Sequence, residues 1–187
     1  MATSQHNFIK RLKKQKEDAL EYIIKEYMPL VKAIALKVLT PLGKHSAVDE
    51  CVNDVFLEVW KHADQFKGEA TDFKSWIGTI AKYKAIDYYR SLDKQNSREA
   101  ELVDCHEQPE SSSEKTLLKR ERKNEMLLAI SNLEQLDRDI FMMKYFLEMT
   151  NSEIGDALSL TKAAVDNRLY RGKKKLAQSP NLKELFI

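Results

Sequence analysis

The hydrophobic positions of the chain repeat with the period of an α-helix over most of its length. Apolar side chains recur every three or four residues from about Glu17 to Leu92, and again from about Glu114 to the end. The stretch from about Asp93 to Ser113 lacks this period. The pattern predicts an all-α fold with two small helical domains, residues 1–92 and 114–187, joined by a flexible linker over residues 93–113.

Several helices are predicted in the first domain. Pro29 interrupts the first apolar stripe, and either begins a second helix or kinks one long helix. Ser46 and Asp49 have the spacing of a cap for the next helix. The apolar stripe of that helix consists of Val48, Cys51, Val52, Val55, Phe56 and Val59. A loop over residues 66–72 then precedes a helix from Phe73 to Leu92.

The face opposite this apolar stripe is polar except for one leucine. It carries Glu50, Asn53, Asp54, Leu57 and Lys61. A single exposed leucine is common in proteins and needs no explanation. An apolar side chain ringed by charged ones is also typical of a hot spot for a protein partner. The face is therefore a candidate protein-binding surface.

Basic and aromatic residues alternate towards the end of the next helix. They are Lys82, Tyr83, Lys84, Tyr88, Tyr89 and Arg90. This pattern offers stacking surfaces and phosphate contacts for single-stranded DNA. The alternative is that the tyrosine rings form the edge of the hydrophobic core.

The linker is acidic. From Glu99 to Glu114 it contains six acidic residues and neither Lys nor Arg, with Pro109 and three consecutive serines. Such a composition is typical of a solvated tether. The alternative is that the negative charge occupies a basic channel that nucleic acid would otherwise fill.

The second domain ends in a helix–turn–helix pattern. A helix from about Ser113 to Leu133 and a shorter one from about Leu136 to Leu147 come first. Thr150 and Glu153 have the spacing of a capping box, and Thr161 is a suitable N-cap for the last helix. The apolar stripe of that helix is Val165, Leu169, Gly172 and Leu176.

The other side of the last helix is suited to DNA. It carries Ala163, Asn167, Tyr170, Arg171 and Lys174, with Asp166 and Lys173 on its flank. Small, amide, aromatic and basic side chains over a buried stripe favour a recognition helix for the major groove. The alternative is an ordinary helical hairpin with a solvated basic face.

Composition limits the classes of protein to which the chain can belong. The net charge is only +2, but a local basic cluster suffices to bind phosphates. No stretch approaches the ~20 apolar residues of a membrane span, and no signal peptide is recognisable, so a cytoplasmic protein without membrane insertion is expected. Two cysteines exclude a disulfide framework. Without a metal-ligand or catalytic constellation, we expect no metal, no cofactor and no enzymatic activity.

Three collinear blocks resemble the extracytoplasmic-function (ECF) sigma factors of bacterial RNA polymerase. Residues Asp49 to Trp60 are similar to the core-binding helix of that family. Residues Phe73–Trp76, Ile80–Ala81 and Ala85–Arg90 resemble its helix that melts and reads the −10 element. Its −35-reading domain is resembled by Leu133, Arg138, Ile140, Phe141, Lys144 and Tyr145, followed by Glu153–Gly155 and Val165–Arg171. The resemblance covers nearly all of the chain from Glu17 to Leu176.

The resemblance implies a sigma factor that binds core polymerase and directs promoter-specific initiation. The implied partners are the clamp coiled coil of the largest polymerase subunit and promoter DNA, with an anti-sigma factor as a further candidate. The implied core-binding residues are Glu50, Asn53, Asp54, Leu57 and Lys61. The implied −10 contacts are Phe66, Lys67, Lys82, Tyr83, Lys84, Tyr88 and Arg90. The implied −35 contacts are Lys162, Ala163, Asp166, Asn167, Tyr170, Arg171 and Lys174.

Two positions depart from the family pattern, and two other classes of protein remain open. Tyr83 stands where the family usually has Asn. Asp166 stands where a basic residue is common, and its carboxylate could accept a hydrogen bond from a cytosine amino group.

A stand-alone helix–turn–helix regulator would not explain the Leu57 face. A helical adaptor without a nucleic-acid role would not explain the recognition face.

Overall fold

The computed structural model describes residues 3–40, 45–99 and 125–178. These residues form helices and short connections, with no strand among them, which confirms the predicted all-α class. The chain divides into two units, Met1–Arg98 and Glu99–Ile187. The acidic tract after Glu99 and the predicted helix start at Ser113 lie outside the described residues, so the proposed domain and linker boundaries stay a prediction.

The described residues of the first unit form four α-helices. They are α1 (Phe8–Lys13), α2 (Glu17–Leu39), α3 (His45–Lys61) and α4 (Ala70–Glu99). Helices α2 and α3 pack along each other, and α1 packs on α2 and on a 3-10 turn at Ala63–Gln65. Pro29 lies inside α2, so the single-helix alternative is correct. The proline is exposed, so the backbone carbonyl that loses its N–H partner can be solvated.

Three predicted helix ends in this unit are wrong. Ser46 lies inside α3 and does not cap it, because His45 is already helical. Asp49 instead pairs with Lys32 of α2 across 3.2 Å. Helix α4 begins before Phe73, where the Asp72 carboxylate accepts the Glu69 N–H at 3.0 Å. It also runs past Leu92 to Glu99, an extension without apolar residues that hydrophobic periodicity cannot detect.

The core of the first unit combines the α3 stripe with a cluster of aromatic rings. All six predicted stripe residues of α3 are buried. Phe73 is fully buried, and its ring lies 5.0–5.3 Å from the rings of Phe8, Tyr27, Phe66 and Trp76. Burial raises the pKa of the Cys51 thiol to about 12, which keeps it protonated as a packing residue. The cluster ties α1, α2, α4 and the loop before α4 into one core.

Between residues 125 and 178 the second unit forms helical residues 125–131 (α5), α6 (Gln135–Phe141), α7 (Asn151–Leu158) and α8 (Lys162–Leu176). Helix α6 continues into a π-helical turn at Met142–Phe146, in which the Leu147 N–H donates to the Met142 carbonyl at 3.2 Å. The helix predicted from Leu136 to Leu147 is therefore α-helical only in its first part. Helix α8 packs on both α6 and α7.

Close packing of α8 on α6 requires a glycine. A Cβ atom at Gly172 would lie 2.7 Å from Cζ of Phe141 and closer still to Cε2, and Phe141 is fully buried. The ring cannot move aside without disturbing the core of the unit. Gly172 thus belongs to the apolar stripe because it lets two helices approach.

We expect Gly172→Ala to destabilise the second unit by about 1–3 kcal/mol, because overpacking a core displaces side chains and backbone. Hydrogen exchange of the α8 amides in the full chain, followed by mass spectrometry, measures this effect. Gly78→Ala in α4 is the control, since nothing lies within 4 Å of the added Cβ and alanine favours the helix. Unchanged α8 protection in Gly172→Ala would contradict the packing argument.

Candidate functional site

The helix–turn–helix has the capping predicted from its sequence. The Thr150 hydroxyl accepts the Glu153 N–H at 3.2 Å, and the Glu153 carboxylate accepts the Thr150 N–H at 2.7 Å. Ser159 ends α7 in the left-handed conformation, at φ 56°. The Thr161 hydroxyl then accepts the Ala164 N–H at 3.2 Å. A Cβ atom at Gly155 would lie 2.6 Å from the Leu160 carbonyl oxygen, so this tight turn requires glycine there.

Helix α8 separates an apolar face from a polar one as predicted. Val165, Leu169, Gly172 and Leu176 are all buried, which confirms the stripe. All seven predicted −35 residues are exposed: Lys162, Ala163, Asp166, Asn167, Tyr170, Arg171 and Lys174. Tyr170 is 71% exposed, an unusual amount for a large ring. The structure brings these residues together on one surface, while their contacts with DNA stay a prediction.

Two polar contacts that the sequence did not reveal hold α8 in place. The Arg168 guanidinium pairs with Asp137 of α6 at 2.7 Å. The side-chain amide of Asn151, the first residue of α7, donates a hydrogen bond to the Asp166 carboxylate. Asp166 is thus oriented from α7, although most of its side chain faces solvent. Both partners lie too far away in sequence for helical spacing to link them. Opposite charge was the only available signal for Arg168 and Asp137, and the sequence offered none for Asn151 and Asp166.

The polar face of α3 is largely open. Glu50, Asn53, Leu57 and Lys61 are exposed, and Leu57 retains 48% of its surface. Asp54 is half-buried, and its carboxylate accepts the Tyr88 hydroxyl of α4 at 3.1 Å. Burial and this hydrogen bond raise the pKa of Tyr88, so its hydroxyl stays a donor. The leucine therefore lies on an accessible surface, while Asp54 also serves the packing of α3 on α4.

The structure corrects one predicted −10 residue. Phe66 is only 2% exposed, with its ring 5.2 Å from Phe73 and 5.1 Å from Trp76, so its assignment as a DNA contact is wrong. Its position in a loop suggested exposure, but the aromatic cluster buries it. Tyr89 is also buried, so for this ring the core alternative is correct.

The other predicted −10 residues are accessible to different degrees. Lys67 is exposed, and Lys82, Tyr83, Lys84, Tyr88 and Arg90 are half-buried. The Lys84 ammonium lies 3.6 Å from the Glu58 carboxylate of α3, which also contacts His62. Together with the bond between Tyr88 and Asp54, this pair makes the predicted −10 surface border directly on the predicted core-binding face.

Within residues 3–40, 45–99 and 125–178, no group of three or more His, Cys, Asp or Glu side chains could hold a metal ion. None of the described helices combines the length and the apolar character required to cross a membrane.

Two protein families match the chain, one in each unit. Sigma-70 region 2 matches residues 23–95, which extend from α2 into α4. Sigma-70, region 4 matches residues 123–176, which end with the last residue of α8. Together the two regions account for well over half of the 187 residues, in the order that the sequence resemblance implied.

Two curated relatives and one solved structure are also similar to the chain. The chain is 25% identical to the ECF RNA polymerase sigma factor SigK of Mycolicibacterium vanbaalenii over 126 residues, which are 66% of this chain and 64% of that protein. It is 25% identical to the ECF RNA polymerase sigma factor RpoE of Cereibacter sphaeroides, over 87% of this chain and 86% of that protein. A structure of CnrH in complex with the cytosolic domain of CnrY matches 94% of this chain and 96% of its own, with a TM-score of 0.52 and 18% identity.

These matches differ in what they establish. The likeness to CnrH, at 18% identity, concerns the fold alone. The chain spans a little under two thirds of the length of SigK, but most of the length of RpoE. Region 2 and region 4 occur in order on one chain, and both named relatives are ECF sigma factors. The chain therefore belongs to the sigma-70 family, as an ECF sigma factor of bacterial RNA polymerase.

Proposed function

We propose that this chain binds core RNA polymerase and directs it to specific promoters, and that it catalyses no reaction itself. The observation that carries the proposal is the presence of region 2 and region 4 on one chain, each with an exposed polar face over a buried apolar stripe. A stand-alone regulator needs only the helix–turn–helix and has no use for region 2.

The polymerase-binding surface in this proposal is the open face of α3. Leu57 is a large apolar side chain left half-exposed among Glu50, Asn53 and Lys61. Apolar anchors surrounded by polar groups typically contribute most of the binding free energy of an interface. The clamp coiled coil of the largest polymerase subunit is the proposed partner of this face.

The promoter-binding surfaces lie in separate units. The exposed side of α8 would enter the major groove at the −35 element, with Asn167 and Arg171 one helical turn apart. The basic and aromatic side of α4 would contact the melted −10 element, through the residues that remain after Phe66 is withdrawn: Lys67, Lys82, Tyr83, Lys84, Tyr88 and Arg90.

A regulatory partner and a cellular location complete the proposal. CnrH, whose fold is similar, was solved in complex with the cytosolic domain of CnrY. By analogy, the cytosolic domain of an anti-sigma factor is a candidate partner of this chain. All proposed contacts, with polymerase, promoter DNA and such a domain, place its activity in the cytoplasm.

Run-off transcription on fragmented genomic DNA tests the proposal. We expect specific transcripts only when purified chain and core polymerase are both present, because one small recognition module makes too few contacts for tight binding alone. An electrophoretic mobility shift with the chain alone is the control. A specific duplex shifted at nanomolar concentration without core polymerase, combined with no effect on transcription, would favour the stand-alone regulator.

A further inference from the structure

Helix α1 has one buried face and one basic face. Phe8 and Leu12 are at most 1% exposed. Lys10, Lys13 and Lys14 project from the other side and are exposed, and none of them forms an ion pair within the described parts of the chain. Three unpaired ammonium groups within about one helical turn create a local positive potential that the net charge of +2 conceals.

The basic face is held rigidly. Arg11 is not part of it, because its guanidinium pairs with Asp18 of α2, with an Nη2–Oδ2 distance of 2.7 Å and an Nε–Oδ2 distance of 3.0 Å. The Arg11 guanidinium and the Thr3 hydroxyl both lower the pKa of Asp18. Just past α1, the Gln15 side chain donates to the Trp60 carbonyl at 2.9 Å. These contacts tie α1 to α2, and the residue just past its C-terminal end to α3.

The position of α1 relates it to the proposed −10 surface. It packs on the 3-10 turn at Ala63–Gln65, which leads directly into the loop before α4. The rings of Phe8 and Phe66 both contact Phe73, at 5.0 and 5.2 Å. The exposed Lys67 follows Phe66 in this loop. Helix α1 and the loop therefore share one packed corner of the unit.

We propose that the outer face of α1, formed by Lys10, Lys13 and Lys14, binds backbone phosphates of promoter DNA beside the −10 element. The inference rests on the proposed function and extends the DNA surface beyond the region 2 match, which begins only at residue 23. Phosphate contacts of this kind add affinity and fix the register, but read no bases. The occupant is DNA because α1 packs beside the loop before α4, which carries the proposed −10 contact Lys67, and because the positive charge of the face complements a phosphate backbone.

The salt dependence of promoter binding tests this inference. Holoenzyme is assembled with the wild type or with Lys10→Gln/Lys13→Gln, and its affinity for a labelled promoter fragment, selected by the wild-type holoenzyme, is measured over a range of KCl concentrations. We expect weaker binding and a plot of log K against log [KCl] that is less steep by about 1.4 to 1.8, the loss of two phosphate contacts. The matched control is Lys25→Gln/Lys37→Gln, which removes the same charge from exposed positions on α2.

The outcomes separate the inference from the proposed function. Wild-type holoenzyme that retains no promoter fragment would contradict the proposed function and the inference together. If the wild-type holoenzyme binds the promoter fragment and both double variants give the same slope of log K against log [KCl], the inference is overturned and the proposed function stands. Loss of affinity for core polymerase with an unchanged slope would assign α1 to a protein surface and overturn it as well. Circular dichroism verifies that each variant is folded.

Discussion

Leu57→Asp is expected to leave the chain folded and to weaken its binding to core polymerase at least about 30-fold. The side chain is 48% exposed on α3, so a carboxylate there remains hydrated in the free chain. On the proposed interface the same carboxylate would be buried against the coiled coil. A hot-spot loss of about 2 kcal/mol or more corresponds to this factor. Fluorescence anisotropy of labelled chain titrated with core polymerase measures it.

Val55→Asp on the same helix is the contrasting variant. Val55 is fully buried, and an unpaired charge at this site costs several kcal/mol, so the first unit should unfold. Circular dichroism distinguishes the two variants before any binding is measured. Asp54→Lys is a poorer probe, because it also removes the acceptor of the Tyr88 hydroxyl. Equal loss of helix content in the Leu57 and Val55 variants would refute the interface assignment.

Arg171→Ala is expected to change which base is preferred at one position of the −35 element. Its guanidinium lies on the exposed face of α8, and a bidentate contact to guanine contributes about 1–3 kcal/mol of discrimination. Lys174 lies on the same face one turn further on, and we assign it a contact to phosphate instead of to a base. Selection of −35 sequences from a randomised promoter library by each variant holoenzyme measures the preference directly.

Lys174→Ala is the matched control for Arg171→Ala. It should weaken binding to all promoters alike, because phosphate contacts carry no sequence information. It should also reduce the salt dependence of promoter binding, because one phosphate contact is lost. Asp166 is less suitable for this comparison, since its substitution would also break the hydrogen bond from Asn151. If both variants lose affinity equally for all promoters and the preferred sequence does not change, α8 is oriented differently in the groove.

The proposed polymerase-binding face of α3 and the proposed −10 surface of α4 border on each other. Asp54 and Glu58 of α3 contact Tyr88 and Lys84 of α4, so side-chain bonds join the proposed polymerase-binding face, which includes Asp54, to the proposed −10 surface. Substitutions at these four positions are expected to affect both polymerase binding and −10 binding. Only double-variant comparisons separate the two effects. Leu57 avoids this difficulty, which makes it the cleaner probe of polymerase binding.

Sequence alone determined what depends on neighbours within one helix. The stripe from Val165 to Leu176, the capping box at Thr150 and the N-cap at Thr161 follow from helical spacing and short-range hydrogen bonds, and the structure confirms all three. The same holds for the buried stripe of α3 and for the exposure of Leu57. In each case, the residues that decide the outcome lie within a few positions of each other.

Only the tertiary structure decided which distant segments meet. It packed Phe66 against Phe73, joined Asn151 to Asp166, and docked α1 on the turn that leads into the loop before α4, with the α1 lysines exposed. These contacts link residues that periodicity treats as independent, because a helical pattern shows which face is buried but not against what. The hydrophobic pattern thus specifies helices and their inner faces, while the packing of those helices determines which exposed residues share a surface.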